Sequence, residues 1–251
     1  MIQTASTLIR RLAPPVLARN SAEKLLAEKA GERRFTWFDA VFLFVLLQDL
    51  ILTAIDATTR WWYVGYIEVE LTLYFVAMLL FVRGLRPLLG RLMLVGLIAG
   101  ICELFTDASG QYVVHSLIYP TGQPTLWTSP LYMPLAWLIS FTQTGYVAWR
   151  LRELLGLRKA TIVAGIWGAI QIPVFEELSY YGGWWRYVPT RLMLGHTPAY
   201  VLLFEGLIVA ALPLLYHRLE RRAWPQVVVI GLIIGAWMPT VGLFSWLLLG
   251  H

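Results

Sequence analysis

Nine of the 15 acidic residues in this 251-residue chain fall inside or at the ends of apolar segments long enough to cross a membrane: Asp49, Asp56, Glu68, Glu70, Glu103, Asp107, Glu176, Glu177 and Glu205. A carboxylate in hydrocarbon costs on the order of several kcal/mol unless it is protonated, paired or facing a wet cavity, so such a cluster marks a functional site. Glu103 and Asp107 are one helical turn apart and share a face, as do Asp49 and Asp56, two turns apart. Glu68 and Glu70 point to different faces. Glu176 and Glu177 follow Pro173, whose ring removes the hydrogen bond to the Ala169 carbonyl and is expected to open the helix beside a polar cavity.

Aromatic residues surround these acids, and many of them suit a belt at the membrane interface. Those within reach of the acids have a second use, because a desolvated aromatic face stabilises a cation by roughly 0.5–2 kcal/mol. Protonated carboxyls beside aromatic walls are what carbocation chemistry on a lipid requires. One acid protonates an alkene or epoxide, the rings hold the cation, and a second carboxylate removes a proton elsewhere. The acids assigned to this work are Glu70, Glu103, Asp107 and Glu177, with Asp49 and Glu205 deeper in the cavity. Which of them protonates and which deprotonates is left open. Tyr74, Tyr112, Tyr132, Trp137, Tyr180, Trp185, Tyr200 and His196 are expected to contact substrate. His115 and His196 lie in connections near the acids, but no His-x-x-x-His or Glu-x-x-His spacing supports a metal, and neither metal nor cofactor is expected. Phosphate-binding loops, a lysine in the last helix for a retinal Schiff base and a serine nucleophile motif are absent.

The elements that must position these groups follow from composition. The chain is 58% hydrophobic and 14% charged, with a mean hydropathy of +0.64, which reads as an all-α polytopic membrane protein. Crossing about 30 Å of hydrocarbon takes about 20 residues. On that measure seven helices are expected, over residues 37–59, 63–82, 88–107, 130–149, 161–180, 197–216 and 225–249, in one bundle. Residues 1–36 carry seven basic residues among apolar ones, are broken at Pro14 and Pro15, and read as an interfacial amphipathic segment preceding the 37–251 transmembrane domain. Of the 20 Lys and Arg residues, all but Arg60, Arg186 and Arg191 lie before the first span or in the second, fourth and sixth connections. That places the N-terminus in the cytosol and the C-terminus opposite. The net charge of +5 is thereby explained by topology rather than by nucleic acid. The single Cys102 sits in an apolar run and reads as a core thiol.

The third-to-fourth and fifth-to-sixth hairpins resemble each other. Each has a carboxylate near a helix end, then a glycine with aromatics, then a Pro-x-Tyr restart at Pro130 and Tyr132 or at Pro198 and Tyr200, a pattern that reads as a parallel repeat.

Two families share features with this chain. Val69-Glu70-Leu71-Thr72, the basic turn Arg83-Gly84-Leu85-Arg86-Pro87, Gly100-Ile101-Cys102-Glu103 and the Ser129-Pro130-Leu131-Tyr132 helix start resemble the emopamil-binding-type sterol isomerase (EXPERA) superfamily. A second, partial match runs through Gln171 to Glu176 and Gly195 to Tyr200, while the first-helix histidine of that family has no counterpart here. Pro173-Val174-Phe175-Glu176-Glu177 is similar to the Pro-x-Glu-Glu element of membrane lycopene cyclases, with one residue more before the glutamates. Both resemblances imply proton-initiated isomerisation or cyclisation of an isoprenoid inside the membrane. The Glu pair also resembles that of CAAX-type intramembrane proteases, but Tyr181 stands where their arginine should be.

The reading is therefore an integral membrane isomerase or cyclase of a sterol, terpenoid or carotenoid, partnered by a lipophilic substrate and membrane lipids, with a homo-oligomer compatible. The alternative class is a small proton-coupled transporter or lipid-binding protein, since midspan acids and a repeat would also serve alternating access.

Overall fold

The structure, a computed structural model, describes residues 35–59 and 64–250; residues 1–34 of the expected N-terminal amphipathic segment and the aromatic run at 61–63 lie outside them. Among the described residues seven α-helices follow one another: α1 (Trp37–Thr59), α2 (Val64–Phe81), α3 (Arg86–Tyr112), α4 (Met133–Leu155), α5 (Leu157–Gly182), α6 (Ala199–Leu215) and α7 (Trp224–Leu249). α1, α3, α5 and α7, of 23, 27, 26 and 26 residues, are long and apolar enough to cross a membrane, and α6 is a shorter apolar helix.

The first expected span coincides with α1, and the others differ at their ends. α4 runs on from Trp149 through Arg150 and Arg152 to Leu155. An apolar run stops at the first charge, whereas helical hydrogen bonding continues past it. Pro173 does not break α5, contrary to the sequence expectation. It removes one hydrogen bond, but the turns on either side remain helical and are packed along α6. Pro213 and Pro239 lie inside α6 and α7 in the same way.

α1 shows why such helices suit a hydrocarbon surround. Asp39, Phe42, Asp49, Thr53 and Asp56 recur at helical spacing and are buried, whereas Leu43, Phe44, Leu47, Ile51 and Ile55 are exposed. This reverses the polarity of a helix on a water-soluble protein. α1 docks on α4 and α2 through side chains: Phe42 stacks on Tyr146 with ring centroids 3.7 Å apart, and Phe75 lies 5.9 Å away. Asp39 accepts hydrogen bonds from Arg150 Nε at 2.9 Å and Tyr146 Oη at 2.9 Å.

α3 packs along α4, α5 along α6, and α7 against both α3 and α6. The α3–α4 crossing is close because Gly96 and Gly100 present bare backbone to α4. A Cβ at Gly100 would stand 2.5 Å from the Pro134 carbonyl oxygen, and one at Gly96 2.7 Å from that of Leu138. Gly168 does the same on α5, where a Cβ would meet the Glu205 carbonyl oxygen at 2.9 Å.

The α3–α4 and α5–α6 connections repeat each other in detail. In the first, β2 (Thr125–Leu126) pairs with β3 (Ser129–Pro130), and in the second β5 (Met193–Leu194) pairs with β6 (Thr197–Pro198) in the same register. The turn residues Trp127 and Gly195 both adopt left-handed backbone, with φ of 57° and 60°. Leu131 N–H donates to the Pro124 carbonyl and Ala199 N–H to the Leu192 carbonyl, both at 2.9 Å. β1 (Leu117–Ile118) pairs antiparallel with β4 (Arg186–Tyr187), so Ile118 faces its own repeat equivalent, Arg186, as a local two-fold axis between the repeats requires. Strands of two residues leave no alternation in a sequence, and none was expected there.

Candidate functional site

Between these helices, beneath the paired connections, lies a cavity of about 650 Å³. Six carboxyl groups line it: Asp49 from α1, Glu68 from α2, Glu103 and Asp107 from α3, Glu176 from α5 and Glu205 from α6. They fall into neighbouring pairs, Asp49 with Glu68, Glu103 with Asp107, and Glu176 with Glu205. Among the described residues lining the cavity there is no Lys, Arg or His. Its aromatic wall comprises Trp137, Phe175, Trp184, Trp185, Tyr187, Tyr200, Phe204, Phe244 and Trp246, with Tyr119 above Asp107.

Each pair has its own donors. Asp49 accepts from Gln143 Nε2 at 3.1 Å and Thr53 Oγ1 at 3.3 Å. Asp107 accepts from Tyr119 Oη at 2.6 Å, while Glu103 lies beside both Asp107 and the Trp137 indole N–H. Glu176 accepts from Trp185 Nε1 at 2.6 Å and Tyr187 Oη at 3.3 Å. Tyr119 and Tyr187 occupy equivalent places in the two connections, so the repeat sets one tyrosine over one helix-end carboxyl on each side. Burial, and then the neighbouring Asp107 and Glu103, push the Tyr119 hydroxyl well above its usual range. Burial and Glu176 do the same to Tyr187. Both phenols therefore keep their protons and act as donors.

Several buried polar atoms at the cavity lack a partner: Glu68 Oε2, Glu103 Oε2, Thr106 Oγ1 and Gln171 Oε1. A buried acceptor left unpaired costs about 1–3 kcal/mol, so these atoms are places where a bound molecule gains. Among the described residues no three His, Cys, Asp or Glu side chains are placed to hold a metal ion.

Of the acids selected from sequence, Asp49, Glu103, Asp107 and Glu205 converge on the cavity. Glu70 does not. It stands two residues beyond Glu68 on α2, on another helical face, and is exposed. Glu177 is rotated off the cavity by one residue and instead accepts hydrogen bonds from the His196 backbone N–H and from His196 Nδ1, the latter at 2.8 Å. A Cβ at residue 195 would collide with the Glu177 carboxyl, so Gly195 leaves room for this contact. Among the selected aromatics, Trp137, Trp185 and Tyr200 line the cavity, and Tyr200 donates to Ser116 Oγ at 2.9 Å. Tyr132 is buried beside Glu68, Asp107 and Asp56. Tyr74 and Tyr112 are exposed, and Tyr180 stacks on His196 outside the cavity at 3.5 Å.

Sequence reasoning passed over Glu68, Glu176, Tyr119, Tyr187, Gln143 and Gln171 as site residues. The repeat carried a usable signal for two of them: aligning the Pro-x-Tyr restarts puts Tyr119 opposite Tyr187 and Asp107 within a residue of Glu176.

No curated protein and no solved structure matches this chain. The family described as a domain of unknown function (DUF6989) matches residues 104–249, which contain Asp107, Glu176 and Glu205, both strand-bearing connections and helices α4 to α7. That match covers more than half of the sequence, and the chain belongs to this family.

Proposed function

We propose that the protein is an integral membrane isomerase or cyclase of an isoprenoid lipid, with all seven helices spanning the membrane, the N-terminus in the cytosol and the strand-bearing connections on the opposite side. The observation that carries this reading is the convergence of six carboxyl groups, with aromatic walls, on one cavity whose described lining holds no basic residue. Without a cation to balance them, six carboxyls in one low-dielectric space cannot all be ionised at once, and a cavity that stores protons beside electron-rich rings is equipped to protonate an alkene.

The pairs divide the work. Glu103 and Asp107 adjoin closely enough to share a proton, and Tyr119 holds Asp107 in place for delivery. Protonation of a carbon–carbon double bond forms a C–H bond from its π electrons, and protonation of an epoxide forms an O–H bond and breaks a ring C–O bond; either leaves a tertiary cation. Trp137, Trp184 and Trp185 stabilise that cation. Glu176, which accepts from both Trp185 and Tyr187, is set up as a carboxylate and removes a proton from a neighbouring carbon, giving a product of unchanged mass. The proton returns to the dyad through the remaining acids and water.

The test is mass spectrometry of isoprenoid extracts from cells expressing the chain, in a host supplied with linear polyprenoids and sterols, and from the Glu103→Gln variant. The expected result is a product of unchanged mass and shifted retention that disappears in the variant. No such product across a broad substrate panel would overturn the enzyme reading and favour a proton-coupled transporter or lipid-binding protein.

A further inference from the structure

The cavity is not closed on all sides. Its lining includes residues on the outer surface of the protein, Val113 at the end of α3 and Leu243, Phe244 and Leu247 on α7, which are 68%, 46%, 51% and 55% exposed. All four are apolar and lie at the same ends of two adjacent helices, on the side of the strand-bearing connections, while the exposed Thr240 one turn away on α7 donates its hydroxyl to the Ala236 carbonyl at 2.8 Å. An apolar mouth in the flank of a membrane protein faces acyl chains rather than water, because polar residues line openings that meet solvent. Inside, acid follows acid. A phosphate or carboxylate brought into a cavity whose described lining holds no basic residue would lose its hydration with no counter-charge to balance it, and any of the six carboxyl groups that is ionised would repel it. The unpartnered atoms specify what is wanted instead: Gln171 Oε1 is an amide acceptor, and Glu68 Oε2 and Glu103 Oε2 accept or donate according to which oxygen holds a proton. A hydroxyl, which both donates and accepts, matches this set.

We infer that the ligand is an uncharged isoprenoid alcohol, without phosphate or carboxylate, admitted sideways from the membrane between the connection-side ends of α3 and α7. The isoprenoid skeleton rests on the function proposed above, whereas the exclusion of anionic heads and the lateral route rest on the cavity alone. A volume of about 650 Å³ lies in the range of pockets that enclose most of a drug-sized molecule, so the chain of a longer isoprenoid trails out through the mouth into the lipid. Gly242 stands beside this passage. A Cβ there would meet Phe204 at 3.4 Å and Thr106 at 3.8 Å, ordinary contacts, so the first atom of a larger side chain fits and the remainder must occupy the passage.

The test uses the full chain in lipid nanodiscs and the saturable binding of radiolabelled geranylgeraniol, its methyl ether and its monophosphate, each corrected for partition into empty discs. The alcohol is expected to bind saturably, the ether about tenfold more weakly because it lacks the donor, and the monophosphate at least about a hundredfold more weakly. Gly242→Phe should reduce alcohol binding at least about tenfold, and Leu247→Trp, at an exposed position that leaves the fold alone, should slow association. Equal binding of the monophosphate or the ether, or no saturable binding of the alcohol, overturns the ligand class. Unchanged binding rates in both variants overturn the route. Saturable alcohol binding without any conversion leaves this inference standing and removes the enzyme reading instead.

Discussion

The junction of α1 with the rest of the protein is concentrated in a few side chains, and Asp39 is the one whose removal should tell most. Its carboxylate is 8% exposed and takes Arg150 Nε on both oxygens, at 2.9 and 3.2 Å, with Arg150 itself 13% exposed. Tyr146 donates to the same carboxylate at 2.9 Å while its ring stacks on Phe42. Removing one partner of a buried ion pair costs roughly 3–5 kcal/mol because the other charge stays buried. The low end applies here, as Asp39 lies in the first turn of α1 and Arg150 near the last turns of α4, toward the interface. Asp39→Asn is therefore expected to lower stability by about 3 kcal/mol, and Arg150→Gln by a similar amount. Tyr146→Phe, losing one hydrogen bond and keeping the stack, should cost about 1 kcal/mol. The Asp39→Asn/Arg150→Gln double variant should cost roughly 3–4 kcal/mol rather than the sum of the singles, a coupling of about 2–3 kcal/mol. Unfolding in mixed micelles with increasing sodium dodecyl sulfate, followed by tryptophan fluorescence, measures the cycle. Additive single effects, with a coupling below about 0.5 kcal/mol, would refute the claim that this pair holds α1 in place.

Four further outcomes follow from the geometry. Glu176→Gln should lower conversion at least about a hundredfold, whereas Glu177→Gln, off the cavity and paired with His196, should change it less than about threefold, read as initial rates of product formation. Tyr119→Phe removes a 2.6 Å hydrogen bond that is the phenolic support of Asp107 and should cost about 1–3 kcal/mol of activation. Tyr187→Phe should cost under about 1 kcal/mol, because its bond is 3.3 Å long and Trp185 holds Glu176 independently; equal effects would sink this distinction. Gly100→Ala should push α3 and α4 apart and lower the yield of folded protein on size exclusion far more than Gly242→Ala, whose added Cβ would make only ordinary contacts at 3.4 Å and beyond. Burial, with Arg152 and Arg218 nearby, lowers the His217 pKa below 6.5, so the native state favours the neutral ring and stability should fall as pH drops through and below 6.5. His217→Gln should flatten that part of the thermal-stability profile.

The helices were legible because each contains an apolar run, long enough to cross a membrane in α1, α3, α5 and α7, and α1 was located to the residue. The choice among acids was legible only where helical phase decided it. Glu103 with Asp107 formed a readable pair, since positions one turn apart stay together whatever the helix packs against. For Glu68 against Glu70, and Glu176 against Glu177, sequence spacing shows that the two members must face apart but not which of them faces inward. That depends on the rotation of α2 and α5, which contacts between distant helices fix. For α5 the contact is Gly168 against the Glu205 backbone. The tyrosines were missed for a different reason: Tyr119 and Tyr187 sit in connections whose strands span two residues each, too short to impose a pattern.

The repeat connects these observations. A local two-fold through the Ile118–Arg186 pair gives each half a tyrosine from a connecting segment above a carboxyl near a helix end. Two identical halves would give two identical acids, and a reaction that adds a proton at one carbon and removes one at another needs them unlike. The departures from symmetry supply the difference. On the α3 side a second carboxyl, Glu103, adjoins Asp107 within the same helix, so the pair can hold a proton between them. On the α5 side the indole N–H of Trp185 takes the place of that neighbour and donates to Glu176 at 2.6 Å. Exchanging these local environments should therefore exchange the roles. Under the proposed reaction, Glu103→Gln removes the proton-donating pair, whereas Trp185→Phe removes the N–H that holds Glu176 for proton removal. Run in deuterated water, the first variant should abolish deuterium incorporation into recovered substrate and product alike. The second should still incorporate deuterium while product ratios shift toward alkenes formed by loss of other protons. If Trp185→Phe instead abolished incorporation and Glu103→Gln retained it, the assignment of acid and base to the two halves would be reversed.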